Sequence, residues 1–215
     1  LSRPSVMLVI EDGTPVDDAG EIWHLLDVRY GMPVTLVTPS RMGSANLSKY
    51  NVIIIAGNPS MSPVVIEGLR NWSRSGGTII GYRGGNRWLA ANDFADISYI
   101  EAAGTDPEKE SIFSGRNAAR AIQSVPGTIF RAEVDITHPL CYGYTQQYLP
   151  VFKTDASAVK VTGRSYNTPV KYISDPLLSG YCSKENLQRI AGSAVVAVHP
   201  GAGRVISIYD DTNFR

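Results

Sequence analysis

The feature that most constrains the fold is a short apolar run that leads into paired glycines, within residues 76–89, Gly-Gly-Thr-Ile-Ile-Gly-Tyr-Arg-Gly-Gly-Asn-Arg-Trp-Leu. Residues 78–82 are β-rich and apolar and follow a Gly-Gly turn, so they predict a buried strand. The second glycine pair permits a sharp turn, and Asn86 is a suitable cap for a helix that starts at Arg87. The segment therefore predicts a strand, a tight turn and a helix in succession.

Residues 82–86, here termed the elbow, form the turn of that unit. Many α/β proteins place a catalytic nucleophile at such a turn, because the turn raises one side chain above the edge of the sheet. The residue at the crest of this elbow is Arg83, with Tyr82 beside it. Neither is a Ser or a Cys, so the sequence keeps the layout of a catalytic elbow without its nucleophile.

The segments before the elbow also alternate between predicted strands and predicted helices. Unbroken apolar runs predict two further buried strands, at residues 5–10 and 52–56, and residues 34–37 predict another strand between them. Helical spacing predicts a helix from Asp17 or Asp18 to Gly31, and a second helix that Ser62 caps. Because parallel strands need crossover helices, we expect a flavodoxin-like, doubly wound, mostly parallel α/β sheet over residues 1 to about 100.

The part of the chain from about 100 to 192 is less regular and richer in β-type segments. Short strands are predicted at residues 127–134, 151–153 and 159–162, and helices at residues 115–123 and after Ser183. Residues 194–209 predict a hairpin, or two strands joined by a tight glycine loop. We expect one domain over residues 1–215, with this irregular part as its second half.

Composition and charge exclude several classes of protein. The 215 residues are 43% apolar and carry 20 basic and 20 acidic side chains, a balance that argues against nucleic acid as a partner. No run is long enough for insertion into a membrane, and the absence of a leader-like start predicts a piece of a longer protein. Cys141 and Cys182 lack the spacing of a structural zinc site; we expect free thiols, with a single disulfide as the alternative.

A ligand site is expected where the strands end, because open α/β sheets bind ligands beyond the carboxyl ends of their strands. Three exit loops meet there: residues 11–18, residues 57–61 and the elbow. The candidate pocket therefore consists of six polar residues, Glu11, Asp12, Asn58, Tyr82, Arg83 and Asn86.

Common site motifs do not fit these loops. A phosphoacceptor receiver needs an Asp after its third strand, where this chain has Gly57-Asn58, and no phosphate-binding glycine motif is present. Glu21 and His24 stand three residues apart on one helix and could share a metal ion, but helix caps and ion pairs explain the acids there without a ligand role. His138 and His199 each precede a proline and are expected to be structural.

Arg83 and a group of tyrosines are the side chains with the most open roles. Arg83 is a permanent cation that can bind a carboxylate, a phosphate or an acid of another domain. The simpler interpretation is a salt bridge that ties the elbow to the acidic loop after the first strand. Tyr142, Tyr144 and Tyr148 suit a carbohydrate-binding or partner-binding platform, although a core or interface role is the default for such rings.

Several phrases of the sequence together resemble one family. They are residues 18–27 (Asp-Ala-Gly-Glu-Ile-Trp-His-Leu-Leu-Asp), 29–35 (Arg-Tyr-Gly-Met-Pro-Val-Thr), 137–140 with 143–144, and 201–206 (Gly-Ala-Gly-Arg-Val-Ile). Over almost its whole length the chain is similar to the class I glutamine-amidotransferase-like domain at the C-terminal end of bacterial zinc carboxypeptidase-like proteins of the carboxypeptidase A type. The resemblance implies a flavodoxin-like amidotransferase fold.

The resemblance also locates the departures from a catalytic amidotransferase. Such enzymes carry Cys in a Gly-x-Cys-x-Gly elbow, and here Arg83 stands at that position. Residues 57–59 resemble the loop that supplies oxyanion-hole amides. His199-Pro200 is similar to the His-Pro-Glu of the family, but Gly201 replaces the Glu. The resemblance therefore implies the fold without glutaminase activity.

Peptidase activity is not expected of this chain either. The related carboxypeptidases use His-x-x-Glu and a distant second His, whereas His24 is followed three positions later by Asp27. The resemblance implies that zinc, and peptide hydrolysis, belong to an N-terminal peptidase domain of the same polypeptide. It also implies a secreted or periplasmic location.

Three functions are compatible with these observations. The first is a non-catalytic accessory domain of a zinc carboxypeptidase, with the peptidase domain as its partner and no cofactor of its own. The second is an independent hydrolase or transferase with its site at the strand ends. The third is a module that binds carbohydrate or cell-wall peptide. A deep pocket that joins Glu11, Asp12 and Arg83 would favour the second, and an exposed tyrosine strip would favour the third.

Overall fold

A computed structural model describes residues 3–10, 16–101, 121–161, 163–201 and 203–213. Its strands are β1 (Val6–Val9), β2 (Val34–Val37), β3 (Val52–Ile55), β4 (Thr78–Tyr82), β5 (Thr128–Val134), β6 (Tyr148–Lys153), β7 (Val170–Ser179), β8 (Ala194–Pro200) and β9 (Arg204–Ile208). Its α-helices are α1 (Val16–Trp23), α2 (Pro39–Met42), α3 (Pro63–Arg74), α4 (Gly85–Ala91) and α5 (Lys184–Ile190). A π-helical segment, His24–Arg29, follows α1 directly. None of the helices in these ranges has the length and apolar character needed to cross a bilayer.

Backbone contacts divide the chain into two compact units, Leu1–Ile97 with Val196–Arg215, and Ser98–Val195. The prediction of one domain over residues 1–215 stays a prediction. Most of the predicted helix at residues 115–123 lies outside the described residues.

The first unit contains the predicted parallel sheet. Its strands run in the order β2-β1-β3-β4-β9-β8. The pairs β1–β2, β1–β3, β3–β4 and β4–β9 are parallel, and β8 and β9 form an antiparallel hairpin. The chain changes direction of winding between β1 and β3, which is the point where open α/β sheets bind ligands. The predicted flavodoxin-like, doubly wound arrangement is confirmed, with antiparallel strands added after the parallel ones.

Two apolar layers explain why the central strands have no polar alternation. Alternate residues of β1 point to opposite faces of the sheet, so Met7 packs in one layer and Leu8 in the other. The first layer also holds Leu69 of α3, and the second holds Ile22 of α1. A strand covered on both faces needs apolar side chains at every position, which is the pattern that the sequence shows.

Caps confirm where two of the helices begin. Ser62 accepts a hydrogen bond from the backbone N–H of Val65 at 3.4 Å, and Pro63 occupies the first turn of α3. In the second unit, Ser183 accepts from the N–H of Asn186 at 3.2 Å at the start of α5. Both are the side-chain caps that the sequence predicts.

The second unit contains an antiparallel sheet in the order β7-β5-β6. Strand β5 alternates strictly between buried and exposed residues, as predicted for a strand with one wet face. The strand predicted at residues 159–162 is wrong for the described residues 159–161, which form only an isolated bridge between Val159 and Tyr99; residue 162 lies outside the described residues. Strand β7 was not predicted, because Pro176 lies inside it and cannot donate to a strand ladder; the register between β5 and β7 shifts in this region.

Candidate functional site

The elbow has the geometry of a strand–turn–helix crest. Arg83 follows β4 directly and has a φ of 45°, a left-handed conformation that is uncommon for a residue with a side chain. Its N–H donates to the carbonyl of Ile208 at 2.8 Å, which fixes the crest to the end of β9. A Cβ on Gly85 would lie 1.8 Å from the carbonyl oxygen of Ile55, so only glycine lets α4 start this close to β3.

Asn86 does not cap a helix at Arg87, and that prediction is wrong. Helix α4 starts at Gly85, because the absence of a side chain there lets the helix begin against β3. The fully buried Asn86 amide instead donates to the carbonyl of Ile208 at 2.8 Å and to that of Arg83 at 3.2 Å. Asn86 therefore holds the elbow to β9.

Arg83 forms a salt bridge with Asp18, in the first turn of α1. Its Nη1 lies 2.5 Å from Asp18 Oδ1, and the Asp18 side chain is only 2% exposed. Burial raises the pKa of Asp18, and the Arg83 guanidinium opposes that rise. The interpretation of Arg83 as a tie between the elbow and the acidic segment after the first strand is confirmed.

Tyr82 is buried beside this salt bridge and points toward the end of the chain. Its hydroxyl donates to Asp211 Oδ1 at 3.0 Å. Burial, followed by the negative charge of Asp211, raises the pKa of Tyr82. The phenol therefore stays protonated and acts as a hydrogen-bond donor at neutral pH.

Glu21, one turn along α1 from Asp18, adds a third carboxyl group. Burial and then the nearby charge of Asp211 raise the pKa of Glu21. The Glu21 Oε2 atom is buried and has no hydrogen-bond partner among the described residues. The burial and the neighbouring carboxyl groups thus make Glu21 easier to protonate than an exposed glutamate.

We term Asp18, Glu21, Tyr82, Arg83 and Asp211 the carboxyl cluster. Of the six candidate pocket residues, the structure brings only Tyr82 and Arg83 into this cluster. Asn58 is exposed at the end of β3, and Glu11 and Asp12 lie outside the described residues. The pocket composed of all six residues stays a prediction.

Asp211 is the member of the cluster that the sequence interpretation missed. The same rule that selected the loops after β1, β3 and β4 applies to Asp210-Asp211, which follow β9. The signal was lost because residues 204–209 were interpreted as half of a hairpin, without the parallel pairing to β4. That pairing places the end of β9 beside the elbow.

A metal ion is not supported by the geometry of these acids. Within the described ranges, no group of three or more His, Cys, Asp or Glu side chains is arranged to hold one. The chemistry that the cluster offers is therefore the holding of protons and of one cation–carboxylate pair.

The remaining candidate nucleophiles and bases have structural surroundings. Cys141 and Cys182 are unpaired, as expected, and burial raises the pKa of both thiols. His199 lies on β8, where its Nε2 is 2.9 Å from the hydroxyl of the fully buried Ser207. Burial lowers the pKa of His199, which therefore stays neutral in the core of the first unit.

Comparison with known proteins identifies the fold of this chain but neither its family nor its function. No protein-family model and no curated protein matches the sequence. A glutamine amidotransferase from Thermotoga maritima matches with a TM-score of 0.55 and 8% identity, over 99% of this chain and 77% of the other. A ThuA-like protein from Bacteroides uniformis matches with a TM-score of 0.52 and 13% identity, over 97% and 82%.

A third similar structure is a β-galactosidase from Bacillus circulans. It matches 99% of this chain but only 30% of its own, with a TM-score of 0.52 and 13% identity. At such identities the likeness shows the fold alone. The chain has the fold of class I glutamine-amidotransferase-like and ThuA-like domains, with a flavodoxin-type sheet.

Proposed function

We propose that this chain is a non-catalytic accessory domain with the class I glutamine-amidotransferase-like fold. One observation carries the proposal: the crest of the elbow holds Arg83, which is bound to the buried carboxylate of Asp18. A guanidinium is always protonated and cannot attack a carbonyl group. The position that would hold the nucleophile thus serves to join β4 to α1.

The other reactive groups support the same conclusion. The two thiols have raised pKa values because of burial, so neither is an activated nucleophile at neutral pH. His199 is occupied by Ser207, a residue 0% exposed in the middle of β9. A Ser–His pair enclosed in a core cannot meet a substrate.

For the parent protein, we propose a secreted or periplasmic bacterial zinc carboxypeptidase. The support is the set of phrases at residues 18–27, 29–35, 137–140 with 143–144, and 201–206. Zinc would be bound by an N-terminal peptidase domain of the same polypeptide, which would be the partner of this chain. The similarity to less than a third of a longer β-galactosidase supports the idea that this fold can be one part of a larger enzyme.

The experiment compares the full polypeptide that the gene encodes with a version that lacks residues 1–215. Both are assayed for zinc content, for release of C-terminal residues from a panel of peptides, and for thermal stability. We expect both proteins to bind zinc and the shortened one to lose peptidase activity or thermal stability. A full-length protein without zinc or peptidase activity would overturn the proposed parent. An unchanged shortened enzyme would overturn the accessory role.

The carboxyl cluster gives the alternative of an independent enzyme one supporting observation. Glu21 has a raised pKa, as a general acid requires, and Arg83 provides a nearby cation. A hydrolase or transferase that uses this site would turn over its substrate as the isolated chain. Its activity would be lost in Glu21→Gln and retained in Arg29→Met, a control at an exposed position.

A further inference from the structure

The second unit contains a polar cavity that none of the roles above uses. Its volume is about 280 Å³. Polar side chains that line it include Glu133, Asp135, Gln147, Ser165, Thr168 and Lys171. Ligand pockets generally measure roughly 300–1,000 Å³, so a cavity of this size suits a ligand of about one ring.

The cavity lies at the base of the loop that joins β5 to β6. The N–H of Val134 donates to the carbonyl of Gln147 at 2.8 Å, which closes this loop. Within the loop, the N–H of Cys141 donates to the carbonyl of His138 and that of Tyr144 to Cys141, so successive turns order the chain. The loop is thus a built feature next to the cavity.

Four exposed tyrosines lie on the β5–β6 loop or next to residues that line this cavity: Tyr142, Tyr144, Tyr148 and Tyr166. Tyr148 is 53% exposed, follows Gln147 in the chain and lies opposite Glu133 in the β5–β6 ladder. Tyr166 is 54% exposed and follows Ser165. Isolated exposed rings are ordinary, but Tyr148 and Tyr166 each stand next to a residue that lines the cavity, which places aromatic surface at its margin.

One of these rings is also held in place. The Arg131 guanidinium lies over the Tyr148 ring, 5.9 Å from its centroid. Arg131 and Tyr148 are on the exposed face of neighbouring antiparallel strands, where such cross-strand contacts order side chains. A ring ordered before binding loses less entropy when a ligand stacks on it.

The charged side chains of the cavity already have partners within the protein. Lys171 Nζ lies 3.7 Å from Glu133 Oε2, which pairs one cation with one anion. Asp135 Oδ1 accepts hydrogen bonds from the Thr137 N–H at 3.0 Å and hydroxyl at 2.6 Å. An ionic ligand would have to compete with these internal partners, whereas hydroxyl groups can add to them as donors and acceptors.

We propose that this cavity and its tyrosines bind a neutral saccharide, with one sugar ring in the cavity and its neighbours against the tyrosine faces. Sugar rings present apolar C–H faces to aromatic rings and hydroxyl groups at their edges, which matches the distribution of groups here. The inference does not depend on the accessory role. The carboxyl cluster and Arg83 take no part in it.

The test is titration of the chain with neutral tetrasaccharides, namely cellotetraose, maltotetraose and chitotetraose, followed by NMR chemical shifts. We expect at least one to bind with a Kd on the order of 1 mM or below. Tyr148→Ala and Tyr166→Ala should each weaken that binding about five- to tenfold. Tyr30→Ala is the matched control, because Tyr30 is an exposed tyrosine of the first unit, and it should leave the Kd unchanged.

Several results would overturn the proposal. One is the absence of any shift for all three neutral probes at roughly 10 mM, a concentration that detects even weak sites. Another is sugar binding that survives both Tyr166→Ala and Gln147→Ala. Neither change removes the contact between Arg131 and Tyr148, so both variants keep the test valid if Tyr148→Ala fails to fold. Tyrosine-dependent binding of a tetra-alanine peptide or of tetragalacturonate, with no neutral sugar bound, would assign the surface to another ligand class.

Discussion

Replacement of Arg83 by Met removes the cation that is paired with Asp18 and keeps much of the side-chain volume. Breaking a buried ion pair costs about 3–5 kcal/mol, because the remaining charge stays buried without its partner. The Arg83 side chain is 25% exposed, so solvent already screens part of the interaction. We therefore expect Arg83→Met to lower the unfolding free energy at pH 7 by about 2–3 kcal/mol.

Urea unfolding and thermal melting measure this loss. For a chain of this length we expect the Tm to fall by about 4–12 °C. The double variant Asp18→Asn/Arg83→Met should recover most of the loss, since no buried charge remains. Arg29→Met, at an exposed position, should change the unfolding free energy by no more than about 0.5 kcal/mol.

The same variant has a pH signature. Arg83 lowers the pKa of Asp18, so in its absence that pKa rises further and Asp18 takes up a proton more readily. A protonated Asp18 is neutral, and the cost of Arg83→Met should therefore shrink as the pH falls from 7 toward 4. A cost that stays constant over this range, or a coupling below about 0.5 kcal/mol in the double-mutant cycle, would refute the reasoning.

Three further variants probe the elbow and its cluster. The folded pKa of Glu21 lies above its unfolded value, so its stabilisation is present at low pH and lost as the pH rises through the folded pKa. Glu21→Gln should therefore stabilise the protein more, or destabilise it less, at pH 7 than at pH 4, and equal melting shifts at both pH values would contradict this. Tyr82→Phe removes the buried bond to Asp211 and should cost about 1–3 kcal/mol in urea unfolding; a neutral effect would show that the bond is not needed. Gly85→Ala places a Cβ 1.8 Å from the Ile55 carbonyl oxygen and should prevent stable folding. Gly84→Ala is the control, because a Cβ at Gly84 would lie 3.5 Å from its nearest neighbour and should be tolerated. Equal Tm values for the two variants would disprove the close contact at Gly85.

The parallel part of the fold could be predicted because the constraint on it is local. A strand covered on both faces must be apolar at each position, and Val6–Val9 and Val52–Ile55 show this directly. Ser62 and Ser183 mark helix starts for the same kind of reason, since a cap acts within three residues.

The missed features depend on partners far away in the chain. Helix α4 starts at Gly85 because of a backbone carbonyl thirty positions earlier, at Ile55, and no local pattern reports that contact. Strand β7 exists despite Pro176 because β5 pairs with it on either side of a register shift. Asp211 joins the site only because β9 pairs in parallel with β4.

The part of the candidate site that lies at strand ends could be predicted from the sequence. Tyr82 and Arg83 were identified by the strand–turn–helix pattern, and the pairing of Arg83 with the acidic segment followed from charge. The role of Asn86 was not accessible, because its amide serves the backbone of Ile208, 122 positions away. A side chain that forms a hydrogen bond with a backbone group far away in the chain produces no periodic pattern in the sequence.

The most direct test of the central claim is ammonia release from L-glutamine by the purified chain, beside a Cys-bearing amidotransferase as a positive control. We predict no release above the buffer blank for the wild type and for Arg83→Met, because the crest of the elbow is a structural cation. Saturable release by the wild type that Arg83→Met abolishes, with a folded variant confirmed by its melting curve, would contradict the account and assign catalysis to the elbow.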